Sequence, residues 1–217
     1  MLDNVKQELL NAINYLKEQK MRFLGKGSMS VFDRANNLIV AEPTPNFPAT
    51  SIGDMLVVDL TGQVVEGTGT PCIDLPTHLE IYRAFPTAGS VVHSHGIYTS
   101  AWAQAGRDIP LYGTGHLDFF KDAIPCTRSL APAEAEAGYE ASAGLCIVEA
   151  FQKKSLSPEA TPAALLFQHG GYAWGGTAAD SANNCVALEQ IAMLAYLTEK
   201  INPEITGVPR NIIGHSK

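Results

Sequence analysis

Two short runs of β-forming apolar residues, each closing on histidine and then glycine, constrain this chain more than any other feature. They are Val91-Val92-His93-Ser94-His95-Gly96 and Leu165-Leu166-Phe167-Gln168-His169-Gly170-Gly171. Each places imidazoles where a strand stops and a loop begins, the usual seat of chemistry grafted on a fold. Side chains two apart in a strand point to the same face. His93 and His95 can therefore reach one metal ion together, and His169 can close the set from a neighbouring strand. Three neutral imidazoles suit a borderline divalent ion such as zinc, with a position left open for substrate. A lone H-x-H carries little weight, because a strand-end histidine can simply hydrogen-bond its own loop. The third histidine in the same context gives the pattern its force.

The remaining periodicities alternate between helix and strand. Val5, Leu9, Ile13 and Leu16 fall at helical spacing and predict an amphipathic helix over 5–19. A glycine-rich turn at 25–27 runs into a strand. Strands follow over 37–41 and 55–60, with a turn at 61–63 and a return strand over 64–67 forming a hairpin. Residues 74–85 read as a helix with Pro76 in its first turn, where a missing N–H costs little. A strand over 89–95 leads to helices over 97–105 and 143–153, then strands over 163–168 and 172–174. The longest helix is expected to start at Thr177, a Thr cap with Asp180 in the first turn, and to end at Asn202-Pro203. Hairpins interspersed among helices predict an α/β sandwich, with a central mixed, largely antiparallel sheet flanked by helices, rather than a doubly wound parallel sheet.

A chain of 217 residues with no linker-like tract or internal repeat reads as a single domain over 1–217. The net charge of −7, without any Lys/Arg cluster, argues against nucleic-acid and anionic-membrane partners and reads most simply as solubility. The first residues lack the basic-then-apolar pattern of a signal peptide, and no apolar stretch is long enough to span a bilayer. The four cysteines are widely spaced, without a C-x-x-C, which fits reduced thiols and a cytoplasmic protein. In Pro71-Cys72-Ile73-Asp74-Leu75-Pro76-Thr77-His78, the acid ahead of a helix is open to two readings, an N-cap or a carboxylate held near a metal.

Taken in order, these segments resemble the class II aldolase/adducin family. The resemblance rests on D-x-P-T-H, V-H-S-H, the W-A-Q-A-G stretch from Trp102, Gly115-His116-Leu117-Asp118-Phe119-Phe120, Ile124-Pro125-Cys126-Thr127-Arg128, and His169-Gly170 with Ala173-Trp174-Gly175. It is dense over 55–192 and is most similar to the L-ribulose-5-phosphate 4-epimerases. It implies a class II aldolase-like fold, a divalent metal, zinc first with manganese or cobalt as alternatives, held by His93, His95 and His169, and Asp74 as a metal-proximal carboxylate or acid/base. It also implies Asp118 as an acid/base, and Thr114, His116 and Glu140 as active-site neighbours. The substrate would be a small ketose or ketose phosphate. The assembly would be a homo-oligomer, a tetramer, with sites near subunit boundaries.

The shared family step makes or breaks a C–C bond beside a ketone, and a divalent cation steadies the resulting enediolate as a Lewis acid. Epimerisation adds rotation of the aldehyde fragment and re-addition, which calls for an acid/base group on each face. A class II aldolase releasing a small aldehyde is the alternative, and a non-catalytic adducin-like binding protein is a third reading. The chain also departs from the family. Gly27-Ser28 stands for a glycine-asparagine pair, Glu42-Pro43-Thr44-Pro45 for lysine-proline-serine-glycine, and Cys72-Ile73 for a pair of serines. Gly27, Ser28, Thr44, Cys72 and Ile73 thus occupy the substrate-binding positions of an altered phosphate cradle. Glu42 is expected to repel a phosphate there, so the substrate lacks the usual phosphate or presents it differently. The epimerases carry a tyrosine near the C-terminus, whereas no tyrosine follows Tyr196 before Ile213-Gly214-His215-Ser216-Lys217. Either another residue serves or the stereochemical outcome differs.

Overall fold

Alternating side chains along the strands divide the interior into two cores, one on each face of a central sheet. The computed structural model describes residues 2–22, 25–44 and 51–208, so Pro45 and the tail at 213–217 lie outside the described residues. Its strands are β1 (Ser28–Asp33), β2 (Leu38–Ala41), β3 (Pro43–Thr44), β4 (Leu56–Val58), β5 (Val64–Glu66), β6 (Thr70–Pro71), β7 (Ser90–Ser94), β8 (Ala163–Leu166) and β9 (Gly170–Gly175). Seven of them form one sheet in the order β5-β4-β2-β1-β7-β9-β8, and β3 pairs with β6 beside it. Every strand pairing in the large sheet is antiparallel. The parallel element among the described residues is an isolated bridge between Cys126 and Leu165.

The helices are α1 (Asp3–Glu18), α2 (Leu75–Ala84), α3 (Ile97–Ala105), α4 (Thr114–Leu117), α5 (Pro132–Lys154) and α6 (Ala178–Ile201). Val92, Leu165 and Ala173 point into a core shared with residues of α1, α3 and α6. Their neighbours Val91, Leu166, Tyr172 and Trp174 point into the opposite core, shared with residues of α2 and α5. The two-residue period of β7 therefore carries His93 to the α2/α5 side.

Most elements fall where their periodicity predicts. Thr177 caps α6 by accepting from Asp180 N at 3.1 Å, while the Asp180 carboxylate accepts from Thr177 N at 3.1 Å. Strands β3 and β6 and the short α4 are not anticipated from the sequence, and two further departures bear on the histidines. Helix α5 starts at Pro132, well before the predicted 143, and is broken by Gly138 at φ 148° and ψ 99°. That break interrupts the helical period and hides the first half. Strand β8 stops at Leu166, so His169 rides the turn into β9 rather than a strand. The four cysteines are free and buried, and no helix among the described residues is long and apolar enough to cross a membrane.

Candidate metal centre

His93 is the fixed member of the histidine cluster. It pairs with Ser28 of β1 and Tyr172 of β9 across the sheet. Its ring lies parallel to that of Tyr172, with centroids 4.4 Å apart and planes 6° apart. His95 follows just past the strand end, and His169 comes from the β8–β9 turn. Ring centroids are 4.6 Å apart for His93–His95, 4.9 Å for His93–His169 and 5.0 Å for His95–His169. One ligand nitrogen from each lies within 4.8 Å of the others.

Two glycines permit this approach. Gly27 has φ +104°, and a Cβ there would sit 2.5 Å from the His93 carbonyl oxygen. A Cβ on Gly170 would sit 2.8 Å from the Ser94 carbonyl oxygen, 3.3 Å from His95 Nδ1 and 3.4 Å from His93 Nε2. The glycine that follows His169 in the sequence is thus part of the geometry of the cluster.

The imidazoles suit a cation. Burial, and then the neighbouring His93 and His95 rings, pull His169 down to about 4. Burial also lowers His95. Neutral rings keep a lone pair for a metal. Nε2 of His169 and both ring nitrogens of His93 are buried without a hydrogen-bond partner, although the Asp74 carboxylate stands close to His93 Nδ1. Buried polar atoms are ordinarily satisfied, so the two Nε2 orphans facing one space fit a bound ion.

Asp74 stands directly behind this cluster. It occupies the N-cap position of α2 but makes no side-chain capping bond. Its Oδ2 instead accepts from Ser28 Oγ at 2.7 Å and lies 3.1 Å from His93 Nδ1. Burial alone would raise this carboxyl, but the His93 ring and the Ser28 hydroxyl hold it far below the usual carboxylate range. A carboxylate behind a ligand histidine fixes the ring and its tautomer. Beneath it, Ser30 Oγ meets His78 Nδ1 and Tyr82 OH, each at 2.8 Å. Burial pushes the His78 imidazole down to about 3.

The cluster opens into a cleft of about 630 Å³. Gly27, Ser28, Thr44, Cys72, Ile73, Asp74 and Glu140 line it with the three histidines. Cys72 is buried, and Ile73, 68% exposed, presents an apolar side chain at its edge. Burial, and then the Asp74 charge, raises Glu140.

Three site residues predicted from the sequence lie elsewhere. Asp118 is exposed and lines a different groove with Glu159 and Asp180. Thr114 is exposed at the start of α4. His116 is buried, with Nε2 2.9 Å from the Asp122 carbonyl oxygen and its ring edge-on to Phe120. The expected repulsion by Glu42 also fails. Glu42 is 0% exposed, paired with Arg22 at 2.8 Å, and accepts from Met29 N at 2.8 Å. A carboxylate this deep is tolerated only when paired, so its charge is spent inside the fold.

Two residues escape a reading of the sequence. Lys26 lines the cleft and has no carboxylate partner among the described residues. Its signal is only a lysine between two glycines. Tyr139 places its hydroxyl 3.2 Å from His169 Nδ1, a contact across 30 positions that no local pattern announces.

Residues 7–196 match the family profile described as Class II Aldolase and Adducin N-terminal domain. Among solved structures, an L-fuculose 1-phosphate aldolase superposes with a TM-score of 0.83 at 22% identity, covering 99% of this chain and 94% of that one. A putative aldolase/epimerase/decarboxylase from Escherichia coli gives 0.76 at 19% identity, covering 98% and 97%. An L-fuculose-1-phosphate aldolase from Thermus thermophilus gives 0.71 at 19%, covering 94% and 100%. At these identities the structural likenesses speak for the fold.

Proposed function

Because the chain belongs to the class II aldolase and adducin family, we propose that its three-imidazole cluster holds a divalent cation and that the protein catalyses retro-aldol chemistry on a small ketose or ketose phosphate. The observation that carries this reading is the pair of buried, unpartnered Nε2 atoms of His93 and His169 facing His95. A divalent cation held there, zinc first and manganese or cobalt as alternatives, supplies Lewis-acid stabilisation of the negative charge left when the C–C bond breaks.

The chain's own residues set the rest. Asp74, held ionised beside His93 Nδ1, orients that ring and adds a fixed negative charge at the back of the cleft. Burial, and then the Asp74 charge, raises the Glu140 carboxyl, whereas Asp74 is lowered, so Glu140 is the better matched of the two to exchange a proton with a substrate hydroxyl. Lys26 meets the anionic end of the substrate at the mouth, in place of the hydroxyl donors lost at Cys72 and Ile73. One ammonium and the Thr44 hydroxyl offer fewer donors than the family's phosphate cradle. This supports a substrate whose phosphate is held differently or replaced by a smaller anion.

An aldolase is the first reading, since Asp74 and Glu140 are the carboxylates that reach the cleft within one chain. A 4-epimerase is the second, favoured by Asp118 within Gly115-His116-Leu117-Asp118-Phe119-Phe120. Asp118 lines another groove of its own chain; in the epimerase reading it would serve the site of a neighbouring copy in a homo-oligomer. The test is an assay of purified protein with L-fuculose 1-phosphate, L-ribulose 5-phosphate and unphosphorylated ketoses, each with zinc, manganese or cobalt. Aldehyde release identifies the aldolase, and interconversion without release the epimerase. Neither activity, together with no bound metal, would leave an adducin-like binding role and refute the enzymatic reading.

A further inference from the structure

We infer that Tyr139 is a positioning residue for the metal centre, holding His169 in the orientation and tautomer that present Nε2 to the cation. The inference rests on the metal-centre reading above and adds a residue to it. Tyr139 OH lies 3.2 Å from His169 Nδ1, with ring centroids 5.8 Å apart. A neutral imidazole carries one hydrogen. For Nε2 to offer a lone pair, that hydrogen must sit on Nδ1, where it donates to the phenolic oxygen. At His93 the corresponding place is taken by Asp74, whose Oδ2 lies 3.1 Å from Nδ1 without hydrogen-bond geometry.

The backbone is built to deliver this contact. Helix α5 breaks at Gly138, whose φ of 148° and ψ of 99° turn the chain immediately before Tyr139. Thr77 Oγ1 of α2 then donates to the Glu140 carbonyl at 2.6 Å, pinning the residue on the other side. Tyr139 is therefore clamped between a bend and a tether. His169, which rides a turn, gains from a neighbouring element the orientation that His93 obtains from its strand.

The experiment is metal affinity of the Tyr139→Phe protein, which loses the hydroxyl alone. Chelator competition with Co²⁺ and Zn²⁺ is expected to show binding weaker by about 10- to 100-fold, the usual loss when a partner behind a ligand histidine is removed. The visible absorption bands of the Co²⁺ protein should shift, while the urea midpoint in EDTA stays at the wild-type value. Gly138→Ala, which sets an L side chain at φ +148°, should weaken Co²⁺ binding in the same direction. Wild-type Co²⁺ affinity and spectrum in Tyr139→Phe would overturn the inference alone. A lowered EDTA midpoint that accounts for the lost affinity would also overturn it, by making the role one of folding. A wild-type protein that binds no Co²⁺ would overturn both the inference and the reading beneath it.

Discussion

If Asp118 serves the site of a neighbouring copy, two inactive variants must rescue one another. His95 lines the histidine cleft and Asp118 lines a groove that shares none of that cleft's residues. His95→Ala removes a proposed metal ligand, and Asp118→Asn removes a proposed acid/base, a loss of about 100- to 10,000-fold if proton transfer limits the rate. In a closed ring each site draws its histidines from one chain and its aspartate from the next. After subunits are mixed in equal amounts and exchanged, half of the sites have an intact histidine set. Half of those face an intact aspartate. Recovery is therefore expected at about one quarter of the wild-type rate per site, far above the sum of the two variants. The assay is turnover of the best substrate from the panel, with subunit exchange verified by mass-tagged chains. Exchange without recovery would refute the reasoning and place the Asp118 role, if any, within its own chain. Near wild-type turnover by Asp118→Asn alone would refute it sooner.

Three further outcomes follow from the geometry. Gly170→Ala brings a methyl within 2.8 Å of the Ser94 carbonyl and 3.4 Å of His93 Nε2; bound metal measured after dialysis should fall well below wild type while the fold, read by circular dichroism, persists. Arg22→Ala removes one ion-pair partner of the 0% exposed Glu42 and should cost up to about 3–5 kcal/mol in urea denaturation, the range for breaking a buried pair. His78, down at about 3 when folded, ionises near 6.5 when unfolded. Between those values the unfolded chain holds more protons. Stability is therefore full above the unfolded value and is lost as pH falls through the window, by up to about 1.4 kcal/mol per pH unit. His78→Gln should flatten that slope, and an equally steep slope in the variant would assign it to other groups.

The features visible in the sequence were those whose cause is local. The two strand-histidine-glycine runs were legible because alternation and a terminal glycine act within a few residues, and the Thr177 cap because Asp180 lies one turn away. The first half of α5 was not, since Gly138 breaks its period while the helix resumes beyond it. Glu42 looked like a charge facing substrate because its partner lies 20 positions away on another segment. Asp74 was ambiguous between cap and site until its carboxylate was seen on Ser28 and His93. Asp118 lies in a groove apart from the histidines, and that separation depends on how the whole chain is threaded, which no local period encodes.

The three histidines differ in what carries them, and this gives the centre an unequal grip. One is set within a sheet, between paired strands on both sides; the other two stand at the ends of strands. The first is placed by backbone pairing on both sides, the other two by turns and by contacts such as that of Tyr139 with His169. If a cation sits there, stripping it is expected to disturb the rim of the cleft while the seven-stranded sheet keeps its architecture.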